Sequence, residues 1–279
     1  MCQFCLEHGE GKKWYLQAKN YAEELANDLR RRRRIRRFLL EFQTVVPAAV
    51  RVLQALKNAS PAVRRAALAW GTEWAKREHF GQVIPLEDVE QVLALARSVV
   101  LLPCLCRRDI ERRERAYCLG LSILPHTSVF EELVPKSFWE GPDGAGLQRI
   151  SSAEALALMR QWELEGVVHT VWAYVAPFVG GMCNCRQPVC YAMQCTLDYG
   201  LKLFFRAEYV AVVRWEACVG CGECAKVCPF SAIEMDRANA KARVDPLRCY
   251  GCGICRAHCP TQAIFLRDRR LVPQAAGLW

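Results

Sequence analysis

The C-terminal fold is decided by a stretch rich in cysteine and glycine, CVGCGECAKVCP at 218–229, which returns as CYGCGICRAHCP at 249–260. In both copies the cysteines are spaced by three, three and four residues, and a proline follows the last one. Two glycines keep their places, and an Ala-Ile pair closes each copy at 232–233 and 263–264. The offset is 31 residues throughout, so this end of the chain is an internal duplication.

Three cysteines at these spacings can wrap three corners of a four-iron cubane in one tight loop. The glycines let backbone N–H groups approach the sulfurs, because they have no side chain to clash. Zinc also uses Cys-x2-Cys pairs, but it needs four donors, and each loop here offers three thiols plus a Cys-Pro. The pattern therefore predicts two iron–sulfur clusters. A purely structural role for these clusters is the alternative to electron transfer.

Residues 209–268 resemble bacterial-type 2[4Fe–4S] ferredoxins, including the Cys-Pro-x-x-Ala-Ile ending of each half. The resemblance implies a fold of two short hairpins and two short helices, with one-electron transfer as its activity. It also implies that the cysteine before each proline binds the other cluster. Cluster one would be held by Cys218, Cys221, Cys224 and Cys259. Cluster two would be held by Cys249, Cys252, Cys255 and Cys228.

The chain has 17 cysteines, and two groups outside this module share a Cys-x-Cys-Arg pattern. One group is Cys104, Cys106 and the more distant Cys118. The other is Cys183, Cys185, Cys190 and Cys195. The four thiols of the second group suffice for another cubane, for another metal, or for a redox-active thiol set. The first group needs a fourth ligand, for which Cys2 or Cys5 is a candidate, or an open iron position.

Weaker signals surround these groups. Gly166-Val167-Val168-His169, followed by Cys-Asn-Cys at 183–185, is similar to a segment of larger ferredoxin-type proteins of anaerobes. His169 lies in an alternating apolar run, where a structural histidine is commoner than a ligand. Cys2-x2-Cys5-x2-His8 is spaced like a ligand set, although thiols at a chain end can be incidental.

The 279 residues allow more than one domain, and we predict an α+β protein with four parts. These are a helical cysteine-containing region (1–146), a helix–strand region with the second Cys-x-Cys group (147–208), the ferredoxin domain (209–268) and a tail (269–279). The turn-forming residues at 141–146 mark the first boundary. A capping box at 151–154, a glycine at 166 and a β-rich run predict a winged-helix-like unit in the second part.

The first part contains three predicted helical stretches. The first runs from Trp14 to Leu56, with a break or kink at Pro47. The second begins after Ser60-Pro61 and places residues such as Val63, Trp70 and Trp74 on a buried face. The third covers 86–102, entered after a proline.

Composition and charge indicate the broad class of protein to which the chain belongs. With 52% hydrophobic and 24% charged residues and a mean hydropathy of zero, the chain is typical of a soluble globular protein. The apolar stretch 38–56 contains Glu41 and Arg51, so we predict an amphipathic helix and no transmembrane segment. The N-terminus lacks an export signal, which indicates the cytoplasm. The arginine run 30–37 is expected to be solvated or to face acidic groups, and nucleic acid is an unlikely partner.

The chain shows no dinucleotide fingerprint, no phosphate-binding loop and no Ser-His-Asp arrangement. We therefore predict an iron–sulfur electron-transfer protein or subunit in preference to a stand-alone enzyme. It would pass single electrons through two [4Fe–4S] clusters, or three or four with the added cysteines, to or from a flavin- or metal-containing oxidoreductase. The alternatives are an oxidoreductase with its site at the additional cysteines and a redox-sensing regulator that combines the winged-helix-like unit and the arginine run with sensing clusters.

Overall fold

The structure is a computed structural model that describes residues 2–113, 115–125, 128–140 and 146–279. It mixes helices and strands, as the α+β prediction requires. Of the linker predicted at 141–146, all but Gly146 lies outside the described residues.

The α-helices are α1 (Gln3–His8), α2 (Glu23–Asn27), α3 (Leu29–Leu56), α4 (Pro61–Glu78), α5 (Leu86–Leu95), α6 (Leu105–Ile110), α7 (Val129–Leu133), α8 (Lys136–Trp139), α9 (Ser152–Leu164), α10 (Tyr191–Met193), α11 (Glu223–Val227) and α12 (Ile254–Ala257). Short 3-10 turns cover Trp14–Leu16, Ala18–Tyr21 and Arg269–Leu271, and a π-helical turn covers Gln194–Asp198.

The strands are β1 (His79–Val83), β2 (Ser98–Pro103), β3 (Ala116–Ser122), β4 (Gln148–Ile150), β5 (Val168–Tyr174), β6 (Val179–Cys185), β7 (Phe204–Phe205), β8 (Tyr209–Val213), β9 (Ile233–Asp236), β10 (Lys241–Val244) and β11 (Ile264–Asp268).

Seven strands form the main sheet, in the order β4-β2-β3-β6-β5-β1-β7. All neighbours in it are antiparallel except β1 and β7. Alternate residues of β2 enter different apolar layers. Val99 and Leu101 pack with α5 and α9, whereas Val100 and Leu102 pack with α3. The second layer continues into the C-terminal module, so the sheet is buried on both faces.

The sheet crosses the boundary predicted near residue 147. Strands β2 and β3 precede that point and β5 and β6 follow it, yet β3 pairs directly with β6. The division into 1–146 and 147–208 is therefore wrong for the sheet. Turn-forming residues mark a loop, and they cannot indicate whether the strands on either side pair with each other.

The local features of the predicted winged-helix-like unit are present, but they do not form a separate unit. The Ser151 hydroxyl accepts the Glu154 N–H at 3.1 Å and the Glu154 carboxylate accepts the Ser151 N–H at 2.8 Å, so the capping box is present. Gly166 has a φ of +77° directly after α9. However, β5 and β6 are inner strands of the seven-stranded sheet and not the wing of a separate unit.

Two helix predictions need correction. The stretch 86–102 is helical only to Leu95, and Ser98–Pro103 forms the buried strand β2. Ser60 does cap α4, accepting the Val63 N–H at 3.4 Å, but Val63 and Trp70 are 54% and 71% exposed. The face that packs most tightly is instead the one with Gly71, where an added Cβ would lie 2.7 Å from Leu201.

Helix α3 runs through Pro47 without ending there. Among the described residues it alone is long and apolar enough to cross a membrane by length and composition, and a single such helix is weak support for a span. Arg31 is the buried member of its arginine run, and its guanidinium donates to the carbonyls of Leu25, Tyr174 and Val175. This contact ties the start of α3 to the turn between β5 and β6.

Other arginines of the run form ion pairs within the chain. Arg32 pairs with Glu132 at 2.8 Å, Arg34 with Glu78 at 2.9 Å, and Arg37 with Glu41 at 2.9 Å.

Candidate metal centres

The C-terminal module is built from two hairpin-like pairs and two short helices. Strand β8 pairs with β11 and β9 pairs with β10, both antiparallel. Gly222 and Gly253 directly precede helices α11 and α12, and they have φ values of +77° and +90°. Since these backbone angles favour glycine, the repeated glycines place each helix directly after its cysteine loop.

The eight cysteines of this module surround two small cavities of about 10 Å³ each. The walls of one cavity contain Cys218, Cys221, Cys224 and Cys259. The walls of the other contain Cys228, Cys249, Cys252 and Cys255. The structure thus brings together both four-thiol sets expected from the resemblance, including the exchange of Cys228 and Cys259 between halves.

Backbone N–H groups point at several of these sulfurs, as a thiolate-held cluster requires. Cys249 Sγ accepts the N–H groups of Ala211 and Gly251 at 3.4 Å each. Cys228 Sγ and Cys259 Sγ accept those of Ala232 and Ala263 at 3.3 and 3.2 Å. Close approach needs glycine, since a Cβ on Gly251 would lie 2.2 Å from a backbone oxygen. The residues present therefore fit cubane clusters.

The thiols of the module differ in their electrostatic environment. Burial raises the pKa of Cys224 to about 11 and raises the pKa of Cys249. Burial alone would also raise the pKa of Cys259, but hydrogen bonds from Thr261 and from backbone N–H groups lower it overall. Cys221 is exposed while Cys249, Cys252 and Cys255 are buried, so the first cage lies closer to solvent.

The two Cys-x-Cys-Arg motifs meet in the main sheet. Cys104 precedes α6 and Cys106 lies in its first turn, while Cys183 and Cys185 end β6. The sheet register places Cys118 of β3 directly opposite Cys183. Residues 183 and 185 point to the same face of the strand, because side chains alternate along β-structure. The motifs therefore face one shared site.

Six thiols form a ring at this site. All six line one cavity, side-chain interactions join Cys183, Cys118, Cys104, Cys106, Cys190 and Cys185 in that order, and an electrostatic interaction between Cys185 and Cys183 closes the ring. The neighbouring thiols hold the pKa of Cys104 and of Cys190 well below the usual value. The neighbouring thiols, together with burial, raise the pKa of the three ring members beside them, Cys106, Cys118 and Cys185. A lowered pKa favours the thiolate, which is the form that binds metals.

Polar groups beside the ring orient it. The Arg107 guanidinium lies 3.7 Å from Cys104 Sγ and stacks on the Tyr117 ring at 3.7 Å. Thr170 Oγ1 lies 3.6 Å from Cys185 Sγ. These contacts supply a buried cation and a hydroxyl to the sulfurs.

His169 has a structural role in the same region. Its Nδ1 lies 2.6 Å from the side-chain oxygen of Asn184, whose amide donates to the Tyr117 carbonyl at 2.7 Å. This network assigns the proton to Nδ1. Burial lowers the His169 pKa to about 4. The side chain therefore holds Asn184, and with it the strand between two ring cysteines.

An apolar cavity of about 140 Å³ opens beside the ring, and its walls include all six ring thiols. Phe38 and Phe42 of α3 line it, with Trp172 and Tyr174 of β5. Cys195 also lines the cavity but stands outside the ring, and burial raises its pKa to about 12. The sequence-based set of Cys183, Cys185, Cys190 and Cys195 is thus only partly reproduced.

Cys2 and Cys5 do not complete the first Cys-x-Cys group. Their sulfurs are 3.2 Å apart, and Cys5 Sγ lies 3.5 Å from a Glu208 oxygen, in the other apolar layer. Glu208 also pairs with the buried Arg269 at 3.1 Å. Three potential ligand atoms meet here, with Glu208 and not His8 as the third. The expectation that Cys2 or Cys5 joins Cys104, Cys106 and Cys118 is wrong.

Three aromatic rings connect the second ferredoxin cage with the six-thiol cavity. Phe230 and Tyr250 both line that cage and stack at 4.1 Å. Phe204 lies 6.2 Å from the Phe230 ring and 5.9 Å from the Tyr250 ring. Leu203, its neighbour in the chain, lines the six-thiol cavity. One continuous packed core therefore joins the two sites.

Comparison with known families supports the iron–sulfur assignment of the C-terminal module. Residues 217–263 match the family of 4Fe-4S dicluster domains. The chain therefore contains a ferredoxin-type domain that binds 4Fe-4S clusters. No curated protein matches the chain.

Proposed function

We propose that this protein transfers single electrons through two [4Fe–4S] clusters to a further metal centre at the six-thiol ring. Cys218, Cys221, Cys224 and Cys259 would hold cluster one. Cys249, Cys252, Cys255 and Cys228 would hold cluster two. When bound, the clusters supply one-electron redox chemistry. The chain supplies the thiolates, the N–H groups directed at them and the packing that excludes water.

The observation that carries this proposal is the packed connection from the second cage through Phe230, Tyr250 and Phe204 to the cavity wall. A ferredoxin domain acting alone would need no such connection. The exposed Cys221 marks the first cage as the side where a partner protein exchanges electrons. Electrons would then pass from the partner to cluster one, to cluster two and to the ring.

The partner is an oxidoreductase that carries a flavin or a metal, and the protein acts as its electron-transfer subunit. We place this system in the cytoplasm of an anaerobe. All 17 cysteines are free thiols, which suits a reducing compartment.

A second candidate function is an oxidoreductase whose site is the apolar cavity. The observation that favours it is the contact of the same cavity with all six ring thiols. A small apolar substrate could meet a ring-held metal there without water. The regulator alternative loses one of its two supports, the winged-helix-like unit, because β5 and β6 are inner strands of the main sheet.

The test of the proposed path uses Cys259→Ala, which removes a ligand of cluster one. A protein donor that cannot enter the cavity should reduce the ring centre in the wild type and fail to do so in this variant. Dithionite, a small reductant, should still reduce the ring centre in both. Cys195→Ala is the matched control and should behave as the wild type. Equal reduction by the protein donor in Cys259→Ala and wild type would show that electrons do not pass through the module.

A further inference from the structure

The number of thiols at the ring exceeds what a cubane uses. A [4Fe–4S] cluster takes four thiolates, and each ferredoxin cage in this chain provides four. The ring provides six, all of which line the same cavity, and the interaction between Cys183 and Cys185 that closes the ring is electrostatic only. A single cubane would leave two thiols unused in an otherwise apolar wall.

Because the link between Cys183 and Cys185 is the one without a side-chain hydrogen bond, the row of six thiols that runs from Cys183 to Cys185 divides in its middle into two sets of three neighbours. One set is Cys104, Cys118 and Cys183, and the other is Cys106, Cys185 and Cys190. Each Cys-x-Cys motif contributes one sulfur to each set. Neither motif can therefore complete a site by itself, which differs from a pair of independent clusters.

The space beside the ring also differs from that of a cubane cage. The ring cavity measures about 140 Å³, against about 10 Å³ in each ferredoxin cage. The space beside the ring is therefore larger than the space inside either four-thiol cage. The ring cavity has room for a larger inorganic core.

We propose that the six thiols bind one iron–sulfur centre larger than a cubane. It consists of two four-iron halves, each held by three thiolates, and a shared sulfide joins the fourth iron of each half. This inference rests on the proposed function, because it specifies the further centre to which the two clusters deliver electrons. The buried Arg107 guanidinium beside Cys104 offsets part of the negative charge of such a centre.

The experiment counts iron and acid-labile sulfide in the full chain, reconstituted under anaerobic conditions. The wild type should hold about 16 irons, of which about eight belong to the ferredoxin module. Cys118→Ala and Cys190→Ala remove one thiol from different sets. Each should lower the count to about eight irons, and each should abolish the same Mössbauer component.

Cys195→Ala is the matched control, since it removes a buried cysteine of the same cavity outside the ring, and it should keep the wild-type count. The module's own EPR signal after reduction serves as the internal standard for folding. About 12 irons in the wild type would overturn the proposal, as would zinc at the ring. A loss of only about four irons in each variant would also overturn it, because the two halves would then be independent clusters.

These outcomes are separate from the test of the electron path. Metal counts do not depend on whether a protein donor reduces the ring centre. A large centre that the module fails to reduce would contradict the proposed function alone.

Discussion

Gly251→Ala should weaken the second cluster far more than Gly222→Ala weakens the first. Each glycine lies between two cysteines of its cage, Gly251 between Cys249 and Cys252 and Gly222 between Cys221 and Cys224, and both have left-handed backbones with φ values of +69° and +77°. Alanine in that conformation costs roughly 1–2 kcal/mol, and this cost is common to the pair. What differs is the space around the added Cβ.

At Gly251 the Cβ would lie 2.2 Å from the carbonyl oxygen of Tyr209, whereas nothing lies within 4 Å of it at Gly222. Ordinary contact would require the backbone to shift by about 1 Å, and overpacking of this kind costs about 1–3 kcal/mol. The shift also disturbs the Gly251 N–H, which donates to Cys249 Sγ at 3.4 Å. We expect about 1–2 kcal/mol for Gly222→Ala and about 2–5 kcal/mol for Gly251→Ala.

The assay is the rate of cluster loss to excess chelator under anaerobic conditions, which follows the population of the opened module. The rate should rise about tenfold in Gly222→Ala and about a hundredfold or more in Gly251→Ala. Equal rates in the two variants would refute the reasoning, because the backbone contact would then carry no cost. Circular dichroism before chelation checks that both variants start from the same fold.

Three further predictions concern the parts that hold the sites together. Arg31→Ala should lower the free energy of unfolding by about 2–3 kcal/mol in urea titrations, because the three carbonyls that Arg31 binds lose a charged donor. A similar loss for the exposed Arg37→Ala would contradict this prediction. Asp88→Ala should lower the free energy of unfolding by about 3–5 kcal/mol in the same titration, because it leaves the half-buried Lys13 and the buried Tyr15 groups without their acceptor. A decrease below about 1 kcal/mol would show that water replaces the carboxylate. The pKa of His169, about 4 when folded against 6.5 when unfolded, means that its contribution is complete above pH 6.5 and is lost as the pH falls toward 4. His169 should therefore account for a loss of about 2 kcal/mol between pH 7.5 and 5, and this share of the slope should be missing in His169→Gln, whereas the buried His79, whose pKa is also lowered to about 4, keeps its own share.

The ferredoxin module could be predicted because its determinants are local. The spacing of cysteines, the glycines and the Cys-Pro pairs all lie within twelve-residue segments, and the duplication repeats them. The capping box at Ser151 is equally local and is present in the structure. Short-range geometry of this kind follows directly from the order of the residues.

The main sheet could not be predicted in the same way. Cys118 and Cys183 face each other across β3 and β6, although they are far apart in the chain and a loop-like stretch lies between them. The sequence predicts a helix through β2 because no glycine or proline interrupts residues 86–102. Short buried runs have no periodicity that separates strand from helix. The ring of six thiols depends on the pairing of β3 with β6 and on the position of β2. The sequence therefore shows only two incomplete groups of cysteines.

The position of the ring on inner strands would link the proposed metal binding to folding of the whole sheet. Its thiols come from strands β3 and β6 and from the segments that begin α6 and α10. In the unfolded chain these thiols are not preassembled, so the free energy of metal binding becomes free energy of folding. The ferredoxin cages depend only on residues 209–268 for their sulfurs. Removal of a metal from the ring should therefore destabilise the main sheet. Removal of the clusters from the two cages should destabilise the C-terminal module.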